Sequence, residues 1–310
     1  MPQQDIIVVG ASAGGVEALQ QLVRGIPANI PAAIFVAIHL YPRSKSFLPA
    51  ILSRAGELTA LHPVDGQRVE NGLIYVGPPD YHLVIEHDHI HLGTGPKEQH
   101  QRPCINVMFR SAAQVYGERV AGVVLTGQMD DGTAGLFEIK RRGGIAIVQN
   151  PEEALFSSMP LSALREIAAD YTLPLNEIGP LLHRLATGGA EPKQIETAGT
   201  DVQPALTDLT CPDCRGTIWE VPCGNGTEYR CRVGHAYSAK SMLSEHFAAQ
   251  EKALYAAMVA LEEGASLATR LAQTSSPELR DRLQDEARER EAHALVVKKV
   301  LRERQSFSLE

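Results

Sequence analysis

The chain has 310 residues, 44% of them hydrophobic, and a formal net charge of −8. That length suits one large domain beside a smaller one, and the acidic balance argues against nucleic acid as a main partner. No apolar run reaches the roughly 18 residues a membrane span needs, and no basic stretch precedes the first strand, so neither membrane insertion nor a secretory signal is expected and the chain reads as cytoplasmic.

The first element is a strand, Ile6-Ile7-Val8-Val9, followed by the turn Gly10-Ala11-Ser12-Ala13-Gly14-Gly15 and a helix over 16–23. A helix head offers free N–H groups and positive dipole character, which suits an oxyanion beside Ser12 or a bound phosphate. Ser at position 12 breaks the G-x-G-x-x-G pattern and no P-loop lysine follows, which weakens the alternative of a phosphate- or nucleotide-binding module. A second apolar strand, 33–38, runs directly into His39; a loop at 41–44 and a helix over 46–55 come next. The strand 73–76 ends in Gly77-Pro78-Pro79-Asp80, and 82–86 with 90–92 form a hairpin. His87, His89 and His91 share one face of it, with no cysteine or carboxylate cluster beside them, and read as solvated residues. Arg102-Pro103-Cys104 opens a helix to about Tyr116, with proline in its first turn. Cys104 is read as a small packed residue in preference to a nucleophile. A third apolar strand, 120–125, leads into Thr126-Gly127-Gln128-Met129-Asp130-Asp131-Gly132. A helix over 132–141, a strand over 145–148, and helices over 161–169 and 176–185 complete the domain.

Strands alternating with helices predict an α/β fold with a doubly wound, mostly parallel, Rossmann-like sheet. Its strand ends line one edge, where a ligand crevice forms. Taken singly, Ser12 can be a helix cap, His39 a strand-end histidine and Asp131 a turn residue. Taken together, they are the nucleophile, base and orienting acid of a hydrolase. Their order along the chain, and the lack of Gly-x-Ser-x-Gly, set the domain apart from α/β-hydrolases.

The expected boundaries are a catalytic domain over 1–186, a Pro- and Gly-broken linker over 187–208, a zinc-ribbon-like module over 209–237 and a helical hairpin over 238–310. Four of the five cysteines fall between 211 and 231, a pattern suited to a metal site in a reducing compartment. Cys211 and Cys214 form a C-x-x-C turn, and Cys231 with His235 a second one, which together suit tetrahedral, structural zinc. Cys223 is left as an alternative to His235. Trp219, Tyr229 and Tyr237 are the expected ribbon core. In the hairpin, Met242, Leu243, Phe247, Leu254, Met258, Leu261 and Leu267 form one stripe. Leu279, Leu283, Ala287, Leu295, Val296 and Val300 form the other, and the two are read as facing each other.

Gly-Ala-Ser-Ala-Gly-Gly, Ala-Ile-His-Leu, Tyr75-Val-Gly-Pro-Pro-Asp80, the Arg102–Ala113 segment, Leu-Thr-Gly-Gln-Met-Asp-Asp-Gly, Gln149-Asn150 and Met159-Pro160 occur in that order. In this the chain resembles, over about residues 5–186, the catalytic domain of the chemotaxis protein-glutamate methylesterase (CheB) family. The resemblance implies hydrolysis of glutamate methyl esters on methylated chemoreceptors by Ser12, His39 and Asp131, with no cofactor required, and glutamine deamidation as a second reaction; a signalling scaffold of weak activity is the other reading. It also implies that the Arg-Pro segment borders the substrate. Two positions depart from the family pattern: Ala13, where the family commonly has Thr, and Gln128-Met129, where it commonly has Met-Gly. Family members usually carry an N-terminal receiver domain. Here the catalytic strand begins at about Asp5, so activity without phosphorylation is expected, with any control coming through the ribbon, which itself resembles an extension of some stand-alone methylesterase-like proteins.

Overall fold

The computed structural model describes residues 3–39, 45–189 and 203–304. The predicted loop at 41–44 and most of the predicted linker, 190–202, lie outside the described residues. In chain order the first domain comprises β1 (Ile6–Ala11), α1 (Gly15–Arg24), β2 (Ala33–Ile38), α2 (Leu48–Ala55), β3 (Thr59–Leu61), β4 (Gln67–Arg68), β5 (Leu73–Val76), β6 (His82–Ile85), β7 (His89–Gly93), α3 (Ile105–Tyr116), β8 (Val120–Val124), α4 (Thr133–Arg141), β9 (Ile145–Gln149), α5 (Ser158–Glu166), β10 (Tyr171–Leu173) and α6 (Leu175–Ala186).

The uninterrupted apolar runs of β1, β2 and β8 need cover on both faces. Seven strands form one sheet in the order β10-β9-β8-β1-β2-β5-β3, with every pair parallel. Because side chains alternate along a strand, Ile7, Val9, Ile34 and Val36 enter the core under α1, α2 and α6, whereas Ile6, Val8, Phe35 and Val148 enter the core under α3, α4 and α5. The expected doubly wound sheet is therefore what forms. The edge strands β3 and β10 and the two-residue β4 were not expected; they are too short for an alternation signal. The helix expected over 161–169 lies instead at α5, three residues earlier, and the one expected from Arg102 begins at Ile105.

Beyond α6, β11 (Ala205–Thr210), β12 (Thr217–Cys223), β13 (Gly226–Cys231) and β14 (Ala236–Ser238) form a four-stranded antiparallel sheet. β11 begins inside the predicted linker, so ordered structure resumes before residue 209. Ile218, Glu228, Cys231, Ala236 and Tyr237 are buried in this small sheet; Trp219 and Tyr229 are only partly buried. The first compact unit spans Met1–Ser241, so the small sheet packs with the catalytic domain instead of standing apart. Charge and backbone pairing account for this. Arg110 of α3 bonds both Glu98 and the buried Glu228, Gln99 N–H donates to Ala236 O (2.9 Å) and Asn225 N–H to Glu166 O (3.4 Å).

The second unit, Met242–Glu310, is a helical hairpin built from α7 (Ala239–Thr274) and α8 (Pro277–Arg304). Its seam matches the expected stripes at Leu283 and Ala287, which pack with Ala265 and Ala268, and differs elsewhere. Ala265, Ala268, Ala272, Ala287, Ala294 and Leu301 are buried, while Leu243, Phe247, Leu267, Leu279, Leu295, Val296 and Val300 are exposed. Alanines, with Leu283 packed against them, make up most of the buried seam. Among the described residues no helix is long and apolar enough to cross a membrane.

Candidate active site

β1 sits between β2 and β8. The chain leaves β1 on one side and returns on the other, so the carboxyl end of β1 is the switch point at which a crevice opens. Ser12 follows β1, His39 follows β2 and Asp131 lies in the turn after β8. The structure brings all three together. Ser12 Oγ is 2.9 Å from His39 Nδ1, and His39 Nε2 is 2.8 Å from Asp131 Oδ2.

Local structure fixes each of them. The N-cap of α1 is Gly14, left-handed at φ 72, and no side chain caps the helix, so the Ser12 hydroxyl is available to His39. Ser12 N–H donates to Thr126 O (3.0 Å), which ties the β1 turn to the β8 turn. Gly127 makes that approach possible, since a Cβ there would lie 2.9 Å from Ser12 Cβ. Leu155 and Phe156 border Gly14 and are exposed beside the crevice. Met129 holds φ 66, a conformation that favours glycine; its carbonyl accepts the hydroxyls of Ser158 and Ser162.

Asp131 is buried and takes hydrogen bonds from five donors. Oδ2 receives His39 Nε2–H and the Ile105 N–H (2.8 Å); Oδ1 receives the N–H groups of Asn106 (3.0 Å) and Gly132 (2.8 Å) and the Cys104 thiol (3.2 Å). Ile105 and Asn106 begin α3, so the carboxylate caps that helix where its dipole is positive. Burial alone would raise the Asp131 pKa, but the His39 bond and these N–H donors outweigh it and hold the carboxyl below its ordinary value. The acid thus stays ionised and accepts the Nε2 proton, which leaves the Nδ1 lone pair facing Ser12. Burial and the Asp131 charge push the Cys104 thiol well above its ordinary range, so this residue is a neutral donor and not a thiolate. These helix-head donors escaped the sequence reading. The available signal was an α3 start with no Ser, Thr, Asp or Asn to cap it, so its N–H groups need an acceptor from elsewhere. Arg102, just upstream, holds Asp80 (2.8 Å) and the carbonyls of Thr94 and Gly95.

The profile of the CheB methylesterase family matches residues 7–182. This chain belongs to that family. A protein-glutamate methylesterase/protein-glutamine glutaminase of Methanosarcina acetivorans is 38% identical over 190 residues, 59% of this chain and 53% of its own length. A Leptospira interrogans protein is 35% identical over 188 residues, 60% of this chain and 97% of its own. The chain spans about half the length of the Methanosarcina relatives it matches. The crystal structure of the Thermotoga maritima CheB methylesterase catalytic domain superposes with a TM-score of 0.57 at 33% identity, covering 60% of this chain and 99% of that one.

Beyond the part that matches the CheB family, Cys211, Cys214, Cys231 and His235 place their ligand atoms within 4.8 Å of one another, a set that could hold a metal ion. Cys214 Sγ and Cys231 Sγ are 3.7 Å apart, and His235 Nδ1 lies 3.7 Å from Cys211 Sγ and 3.4 Å from Cys231 Sγ. Zn–S bonds of about 2.3 Å at the tetrahedral angle separate two sulfurs by about 3.8 Å, so the donor set fits zinc. Cys223 is elsewhere, its thiol 3.9 Å from Ala134 O and pushed up to about 12 by burial. Among the described residues no other group of His, Cys, Asp or Glu converges in this way, His87, His89 and His91 included; His91 instead pairs with Asp65.

Proposed function

We propose that this chain hydrolyses glutamate methyl esters on a methylated chemoreceptor or related signalling protein, releasing methanol, and that it deamidates glutamine side chains by the same route. The Ser12–His39–Asp131 relay at the switch point carries the reading, and membership of the methylesterase family supports it. Ser12 Oγ attacks the ester carbonyl while His39 Nδ1 takes its proton. Asp131 orients the ring and stabilises the imidazolium. Ser12 N–H is committed to Thr126 O, so the oxyanion falls to the N–H groups that follow it at the head of α1. His39 then returns the proton to the departing methoxide, and water, deprotonated by His39, releases the glutamate and restores Ser12. No step draws on a metal. Zinc at Cys211, Cys214, Cys231 and His235 would have all four positions filled by protein and would hold the small sheet folded. The test is methanol release from methylated receptors by the full chain and by Ser12→Ala and His39→Ala. Each substitution should cost on the order of 10⁴-fold or more, and the double variant little beyond that. Near-normal turnover by Ser12→Ala would sink the assignment.

A further inference from the structure

A cavity of about 250 Å³ lies between the catalytic domain and the small sheet, and neither Ser12 nor His39 lines it. Five buried side-chain atoms that line it have no protein partner: Gln99 Oε1, Asp130 Oδ1, Glu166 Oε2, Asn106 Nδ2 and Thr133 Oγ1. Asn106 is fully buried, and Gln99 and Thr133 are only 7% and 8% exposed. Buried polar atoms nearly always find a partner, and five orphans around one cavity describe what that partner carries. Three are acceptors, two of them on carboxylates. The other two are an amide donor and a hydroxyl, and Lys240 lines the same cavity. Among the described residues Asp130, Glu166 and Glu228 do not come together as a metal-ligand group, and three acceptors that face one cavity suit N–H groups.

We infer that this cavity is a binding site for a small zwitterion of free amino-acid size. Its ammonium group meets Gln99, Asp130 and Glu166, one acceptor for each N–H. Its carboxylate meets Asn106, Thr133 and Lys240. Both ends are charge-assisted contacts in a half-open cavity. The ligand would join two parts of the first unit, because Asp130 precedes Asp131 while Asn106 and Thr133 lie at the heads of α3 and α4, whereas Lys240 follows β14. Burial raises the Asp130 pKa despite its bond to Ser238 and the attraction of Lys240. This inference stands apart from the ester-hydrolysis reading.

The test is thermal shift and isothermal titration of the full chain with each of the twenty free α-amino acids, with methylammonium and acetate as single-group probes. At least one amino acid should bind saturably at one per chain, and both single-group probes more weakly. Glu166→Gln and Thr133→Val should each weaken that binding at least about tenfold, the effect of one lost charge-assisted contact. If either variant fails to fold, Lys240→Met gives the same comparison from a different element. Absence of saturable binding across the panel, equal binding of methylammonium, or binding unchanged in the variants would each overturn the proposal and leave the cavity to water.

Discussion

Asp131 joins the hydrogen-bonded Ser12–His39 pair to the head of α3, and this double attachment separates the residues around it by role. Cys104 touches the same carboxylate through its thiol, yet it is a donor with a raised pKa. Cys104→Ala should therefore keep turnover within about tenfold, the loss of one weak donor among five, whereas a nucleophile would lose nearly everything. Methanol release by Cys104→Ala beside Ser12→Ala decides between these roles. The Asp131 carboxyl also makes a pH prediction. Its folded-state pKa lies below its unfolded value, near 3.9, so its contribution to stability is complete above that pH and is lost as pH falls through the folded value. Urea midpoints from pH 6 down to about pH 2 should show an acid limb that is shallower in Asp131→Asn than in the parent chain. Equal slopes would mean that the carboxylate is not held as described.

At the scale of elements, two packing choices can be tested. In the hairpin, buried Ala268 and exposed Leu267 are neighbours in sequence and opposites in environment. Ala268→Leu should overpack the seam and cost about 1–3 kcal/mol, while Leu267→Ala stays within about 0.5 kcal/mol. Amide exchange across α7 and α8 reads both; the reverse ranking would restore the stripe expected from sequence. On the other unit, Arg110 holds Glu228, whose side chain is only 4% exposed. Arg110→Met leaves that carboxylate with the half-exposed Arg230 as its remaining cation, so the loss falls below the about 3–5 kcal/mol of an uncompensated buried charge. Exchange protection should fall in β12 and β13 and persist in β1 and β8. Unchanged protection of the small sheet would show that backbone pairing alone keeps it docked.

For the whole molecule, the placement of the small sheet separates folding from chemistry. The Thermotoga catalytic domain matches this chain over nearly all of its own length, so the first domain corresponds to a unit that stands alone there. A chain ending at Gly189 should retain Ser12-dependent hydrolysis. Chelation of the full chain should strip protection from β11–β14 and leave turnover within about tenfold, since a closed four-ligand site offers no position to substrate. The readouts are methanol release, metal content and exchange protection together. Complete loss of turnover with the catalytic domain still folded would make the metal site part of the reaction.

The sequence by itself determined the catalytic fold and the residues that converge in it. Uninterrupted apolar strands must be covered on both faces, and right-handed crossovers then send the ends of β1, β2 and β8 to one edge. Ser12, His39 and Asp131 follow from those strand ends, and Cys211, Cys214, Cys231 and His235 from ligand spacing on local turns. Only the tertiary structure decided what holds Asp131, where the small sheet sits and which residues form the hairpin seam. Periodicity and spacing act over a few residues. The α3-head donors to Asp131 come from about 25 residues upstream, and Arg110 meets Glu228 across 118. A seam of alanines carries little hydrophobic signal beside the leucines next to it. Such contacts exist only once the chain is folded, because they depend on distances between elements that no local pattern encodes.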